Sequence, residues 1–356
     1  MKKIGILTSG GDCSGLNAII SSVVRSASKL DLEVYGIKNG TEGLTSRPLD
    51  YEILTVDNFC NTPWPNMSGS YLGSLNKGAT AEQLVELGKR FAEGVKLLEL
   101  DAVIVIGGDG SMSIVGKYCQ DSGVKMIGIP KTMDNDTPLT ETSVGFNSAC
   151  QVVTDAIEAL DFTARSHQRA LILEVMGRDA GHLAIQSAVA AQADICLVPE
   201  IPYTIDGIVT KLEEVKRSGK NHSVIVVSEG VRTETGDKIT NAVNAVGEPI
   251  NGGIGEYLNE KIKEKSNSFQ TRVNVLGHVQ RAGRPTTFDK ALASMFGARA
   301  IELLKEGKTN KMVAWRDGCI KEFDIIDVVA EGTTLLDVDS CYVNAAKTMG
   351  MYIGEL

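Results

Sequence analysis

Residues 102–136 read AVIVIGGDGSMSIVGKYCQDSGVKMIGIPKTMDND. Ala102–Ile106 is a continuous apolar run, the pattern of a strand covered on both faces. Gly107, Gly108 and Gly110 follow as a turn almost without side-chain bulk, where backbone N–H groups can approach an anion. A helix expected from about Ser111 adds the positive end of its dipole to the same place. Asp109 is the only charge in that turn. A carboxylate repels a phosphate unless a divalent cation sits between them, so GGDG reads as a Mg²⁺-phosphate turn. A second buried strand, Lys125–Ile129, is expected to end at Pro130 and release Thr132-Met133-Asp134-Asn135-Asp136. In extended chain, side chains two apart point the same way, which would turn Asp134 and Asp136 toward one space. That space lies off the carboxyl ends of two strands, where open α/β sheets bind ligands.

The same grammar extends in both directions. Lys3–Thr8 reads as a first strand, and SGGDCSGLNA (9–18) as a second glycine turn opening a helix over Leu16–Ala27. A strand over Glu33–Ile37 follows, then a stretch of few regular signals, 39–79, holding GSYLGSLNKG (69–78), which reads as a functional loop. Ala81–Leu100 has the spacing of a long amphipathic helix. Downstream, a helix over 147–163 leads to SHQR (166–169), and a strand over 170–175 ends in MGRDAGH (176–182). Further strands are expected near 195–198, at 223–227 before Ser228-Glu229-Gly230, at 272–276 before GHVQRAGRP (277–285), and at 311–315. Helices are expected over 207–218, 255–266 and 287–305 and near the end. This alternation predicts an α/β fold: two similar doubly wound, Rossmann-like lobes with mainly parallel sheets and the active site in the cleft between them.

Composition narrows the function. The 356 residues, 43% hydrophobic and 23% charged, suit a folded two-domain protein and exclude disorder and coiled coil. No apolar run reaches the roughly 18 residues of a membrane span, and a strand starting by Ile4 leaves no room for a signal peptide, so no membrane partner is expected. Seven scattered cysteines without a C-x-x-C pair argue for reduced thiols and a cytoplasmic location. A net charge of −9 argues against nucleic acid, so an anionic ligand needs a local basic cluster. Arg169, Arg178, Arg272 and Arg281, with Lys131, supply one at strand ends and loops. Guanidinium forks suit phosphate. His278, in the same run as Arg281, is a further ligand contact, and Met176 an apolar one. In TMDND one aspartate would face magnesium and the other a proton, with Thr132 donating a hydrogen bond. Phosphoryl transfer to a sugar hydroxyl needs such a base, and cations for the charge in flight.

SGGDCSGLNA, GGDGS, PKTMDND, SHQR, EVMGRDAGH, SEG and TRVNVLGHVQRAGRP, in this order, resemble a 6-phosphofructokinase of the bacterial type over residues 1–305. The resemblance implies Mg²⁺-dependent transfer of a phosphoryl group from ATP to the 1-hydroxyl of fructose 6-phosphate in glycolysis. It places Asp134 as base, with Thr132, and Arg178 on the transferring phosphate. Asp109 and Asp136 fall near magnesium, and Gly11, Gly108, Gly110 and Ser111 on the donor's phosphate turns. Met176, Gly177, Glu229, His278 and Arg281 fall on the sugar-phosphate pocket. Arg169 and Arg272 fall where the family reaches across a subunit interface in a homotetramer or homodimer. Residues 1–145 with 258–307 would form the donor lobe, and 146–257 with 308–356 the sugar-phosphate lobe.

Departures from the family pattern bear on the donor and on control. Gly110 leaves room for ATP where pyrophosphate users usually carry Asp. Lys131, however, stands where ATP-only members commonly have Gly, which keeps pyrophosphate as the alternative donor. Asn76 and Lys77 replace an arginine that bridges the two substrates; Lys131 or Lys77 would supply that charge. Ser21 and Asp161 replace effector-site arginines while Arg25 is retained, so control by ADP or phosphoenolpyruvate is expected to weaken. A non-catalytic regulatory subunit binding sugar phosphate, the alternative of another class, predicts loss of Asp134 or Asp109, and both are present.

Overall fold

The computed structural model describes residues 1–74, 79–243 and 249–355. In chain order its elements are β1 (Lys3–Thr8), α1 (Leu16–Ser28), β2 (Glu33–Ile37), α2 (Glu42–Thr45), β3 (Tyr51–Leu54), α3 (Ala81–Leu97), β4 (Ala102–Gly107), α4 (Asp109–Ser122) and β5 (Met126–Thr132). There follow β6 (Val144–Gly145), α5 (Phe146–His167), β7 (Arg169–Val175), α6 (His182–Ala191), β8 (Ile195–Leu197), α7 (Ile205–Arg217) and β9 (Ser223–Ser228). The chain ends with β10 (Thr240–Val243), β11 (Pro249–Asn251), α8 (Ile254–Lys265), β12 (Gln270–Val275), α9 (Thr287–Lys305), β13 (Lys311–Arg316), β14 (Cys319–Asp324), α10 (Ile325–Glu331) and α11 (Cys341–Thr348). These gather into two compact units, Met1–Ser148 with Arg281–Thr334, and Ala149–Gln280 with Leu335–Leu356.

The first unit is built on a sheet whose strand order among the described residues is β14-β13-β5-β4-β1-β2-β3, with β6 beside β5. The interior pairs are parallel, and only β3 and β14, at the two edges, join antiparallel. Every residue of β4 is buried, so the sheet needs cover on both faces. On one face Ile4, Ile6, Ile104, Ile106 and Ile129 pack with Leu16, Ile19 and Ile20 of α1 and Leu292 and Phe296 of α9. On the other, Leu7, Val103, Val105 and Met126 pack with Phe91 of α3, Val115 of α4 and Val328 of α10. The chain builds outward from β1 through β2 to β3, then returns to the opposite side of β1 with β4 and β5. The boundary between β1 and β4 is therefore the topological switch point, and both glycine turns leave the sheet there.

The second unit has an all-parallel sheet in the order β12-β7-β9-β8. Ala170, Ile172, Ile225 and Val227 bury against Ile208 and Leu212 of α7 and Leu258 and Ile262 of α8. β10 and β11 form a separate antiparallel hairpin. The two sheets are both doubly wound in character but unequal in size.

Three expectations are corrected. The strand expected over Lys125–Ile129 runs on through Pro130 to Thr132, because Lys131 and Thr132 pair sideways with Val144 and Gly145 of β6. The chain after it is bent, not extended, and Asn135 is left-handed at φ 55°, so the two-residue alternation does not govern Asp134 and Asp136. The expected lobe boundaries also move. Residues 258–280 belong to the second unit, where β12 pairs with β7, and residues 308–334 to the first, where β13 pairs with β5.

Candidate active site

At the switch point of the first unit, the turn after β1 runs through Gly10, Gly11 and Asp12 into α1, and the turn after β4 runs through Gly108 into α4. Neither helix has a side-chain cap at its N-terminus, so first-turn N–H groups face outward for an anion. Ser111, in the first turn of α4, donates to Ser9 at 3.0 Å and ties the two turns together. Two cations converge on the first turn. Lys131, at the end of β5 and 3% exposed, donates its ammonium to the Gly11 carbonyl. Arg281 lies against the same residue, so closely that a methyl group at Gly11 would overlap its guanidinium, and it pairs with Asp12 at 3.8 Å. Burial holds Lys131 below the usual lysine range, and the nearby Arg281 adds to that, while Asp134 and Asp12 favour its charged form.

The loops around this pair are pinned. The hydroxyls of Ser14 and Ser68 both donate to the Gly283 carbonyl, fastening the segment that carries Arg281 to the first turn. The 69–74 loop is held to the end of β1, where Thr8 donates to Gly73 at 2.6 Å and Ser74 to Gly10. Asn76 and Lys77 lie outside the described residues. In the TMDND loop the Asp134 N–H donates to Thr132 Oγ1 at 3.1 Å, and Asp134 and Asp136 are both buried. Asn135 fixes the turn: its Oδ1 accepts from Ser143 N–H at 2.9 Å and its Nδ2 donates to Glu141 at 3.1 Å. A Cβ built at Gly110 meets no atom within 4 Å, so the protein's own packing does not require glycine there. Cys13 in this turn is buried and pushed up to about 12, which makes it filler rather than a nucleophile.

In the second unit, Met176, Gly177 and Arg178 leave the carboxyl end of β7, and Glu229 leaves β9 beside it. The Arg178 N–H donates to Glu229 Oε1 at 3.1 Å, and the Met176 N–H to Gln280 Oε1 at 3.2 Å. Gly177 has φ 142° and Gly230 lies against the Arg178 carbonyl, so both positions exclude a side chain. His278 is exposed in the short turn Gly277–Arg281. Arg169 sits at the opposite end of β7 from Met176, about 20 Å away along the seven-residue strand, where it donates to Gln270 at 2.9 Å. Arg272, exposed on β12, donates to the Thr271 carbonyl at 2.8 Å.

The first unit thus brings together Gly11, Ser111, Lys131 and Arg281 at the switch point, with Asp109 and the TMDND loop leaving the neighbouring strand ends. The second gathers Met176, Gly177, Arg178 and Glu229, and leaves Arg169 apart. A family profile described as Phosphofructokinase matches residues 3–304. The chain belongs to the phosphofructokinase family. It is 43% identical over 362 residues to ATP-dependent 6-phosphofructokinase 1 of Synechocystis sp., covering 100% of this chain and 99% of that one. It is 37% identical over 368 residues to ATP-dependent 6-phosphofructokinase 2 of Clostridium perfringens, covering 100% and 99%. Among solved structures, it resembles phosphofructokinase from Saccharomyces cerevisiae with a TM-score of 0.77 at 24% identity, over 98% of this chain and 48% of the yeast chain. It also resembles a pyrophosphate-dependent phosphofructokinase from Marinobacter aquaeolei, with a TM-score of 0.79 at 22% identity, over 99% and 88%. These structural likenesses concern the fold. Two residues, Asp12 beside Arg281 in the first unit and Gln280 beside Met176 in the second, lie inside the motifs above without a role there. Both act through partners far away in sequence, which local spacing does not reveal.

Proposed function

We propose that this chain is an ATP-dependent 6-phosphofructokinase, transferring the γ-phosphoryl group of ATP to the 1-hydroxyl of fructose 6-phosphate. The observation that carries the reading is the meeting of Lys131 and Arg281 on the Gly11 turn at the switch point, with Asp134 close by. A buried ammonium and a guanidinium beside a turn rich in free N–H groups form an anion cradle, and a nearby carboxylate supplies the base. Asp134 takes the proton of the attacking hydroxyl, and Thr132 Oγ1 fixes its backbone. Arg178 meets charge on the transferring phosphoryl group. Met176, Gly177, Glu229 and His278 hold the sugar phosphate, and Gly11, Gly108, Gly110 and Ser111 the donor's phosphates.

Asp109 and Asp136 suit Mg²⁺. No group of three or more metal-binding side chains occurs among the described residues. Mg²⁺ is ordinarily held by one or two carboxylates together with water and substrate phosphates, and two aspartates at neighbouring strand ends meet that pattern. When bound, the ion neutralises charge on the donor's terminal phosphates. The open space at Gly110 suits the bulk of a nucleotide and favours ATP over pyrophosphate. Arg169, remote from the sugar-phosphate residues of its own chain, serves with Arg272 the site of a neighbouring copy in a homo-oligomer. The free thiols suit the reducing cytoplasm.

The test is fructose 1,6-bisphosphate formation with ATP, then with pyrophosphate. Product with ATP alone is expected. Asp134→Ala should cut kcat by about 10²–10⁴-fold, and turnover unchanged by that substitution would remove the assigned base.

A further inference from the structure

We infer that Thr333 is a positioning residue for the cation-facing carboxylates, acting from a short strap beyond the residues that the family profile matches. This rests on the reading of Asp109 and Asp136 as the cation-facing pair. α10 is anchored by Ile325 and Val328, buried on the same face of the sheet as α4. It ends at Gly332, whose φ of 72° turns the chain back toward the switch point. The next two residues each grip one carboxylate-bearing segment. Thr333 Oγ1 donates to Asp109 Oδ2 at 3.3 Å, and the Thr334 N–H donates to the Asp136 carbonyl at 2.9 Å.

Asp109 and Asp136 follow different strands, so a single dipeptide sets how their segments lie relative to each other. Asp109 is the first residue of a helix that has no side-chain cap. Its carboxylate therefore has a competing use, folding back onto the N–H groups of its own first turn. The threonine hydroxyl, by holding Oδ2, works against that folding back. Mg²⁺ demands near-octahedral geometry, and losing an outer partner of a ligating group typically weakens metal binding 10–100-fold. Thr333 is exposed, so its replacement does not disturb a core.

The experiment titrates Mn²⁺ into the ADP-saturated protein, followed by electron paramagnetic resonance, for wild type, Thr333→Val, Thr333→Ser and Asp109→Asn. Thr333→Val should weaken Mn²⁺ about 10-fold, and Thr333→Ser, which keeps the hydroxyl, should bind like wild type. In turnover, Thr333→Val should raise the metal requirement while kcat recovers at saturating metal. If Asp109→Asn weakens Mn²⁺ but Thr333→Val does not, or if serine fails as valine does, the positioning role falls and the metal reading stands. If Asp109→Asn also binds Mn²⁺ like wild type, the metal reading falls and the strap's role falls with it.

Discussion

At the end of β5 the Lys131 ammonium is surrounded by protein, and burial, helped by the nearby Arg281, lowers its pKa from 10.5. A lysine with a lowered folded pKa binds fewer protons folded than unfolded, so its charge opposes folding. That penalty is full below the lowered value and vanishes as pH rises through 10.5. Lys131→Met lacks it, so wild-type stability should gain on the variant as pH rises toward 10.5 in paired urea titrations. A constant difference across that rise would show that the ammonium is as well solvated in the fold as in the open chain. At this scale GGDG, TMDND and the arginines stand out as candidates by residue type alone. What was not legible depends on partners remote in sequence, as with Asp12 beside Arg281 and Gln280 beneath Met176.

Among the elements, β7 and α8 are joined by one buried carboxylate. Glu174, 3% exposed, accepts from the Gly253 N–H at 2.9 Å through Oε1 and from the Gly255 N–H at 2.8 Å through Oε2. It occupies the positive end of α8, whose left-handed cap residue Gly253 brings no side chain of its own. Glu174→Gln keeps the shape but turns an amide NH₂ toward a backbone donor. It should destabilise the protein by about 1–3 kcal/mol, read as a lower urea midpoint at unchanged slope. The central strands were legible because continuous apolar runs admit few other structures. α6 was not named as a helix, since HLAIQSAVAA is apolar nearly all round and carries no 3.6-residue stripe. β3 and β14 escaped for the opposite reason: as edge strands they are largely solvated and lack a buried run.

For the whole molecule, two repeating halves could be read from the alternation of strands and helices, but not which strands pair. β12 joins β7 and β13 joins β5 across more than a hundred residues, and no local pattern encodes such partnerships. The thiols report on both units together. Cys13, Cys60, Cys119, Cys150 and Cys196 are buried, and Cys319 and Cys341 are exposed. Burial also holds the Cys119 thiol up at about 12, far from the reactive thiolate. A thiol-specific chromogenic disulfide should therefore modify two cysteines rapidly and the other five only on unfolding. A third fast thiol would show that one of the cores opens readily. The pairing of α1 with α9 also bears on biosynthesis. Leu16, Ile19 and Ile20 emerge from the ribosome long before Leu292 and Phe296, the side chains that cover them. At about 5–20 residues per second, that greasy helix face waits many seconds for its lid, which makes the half-made chain a natural client for a chaperone.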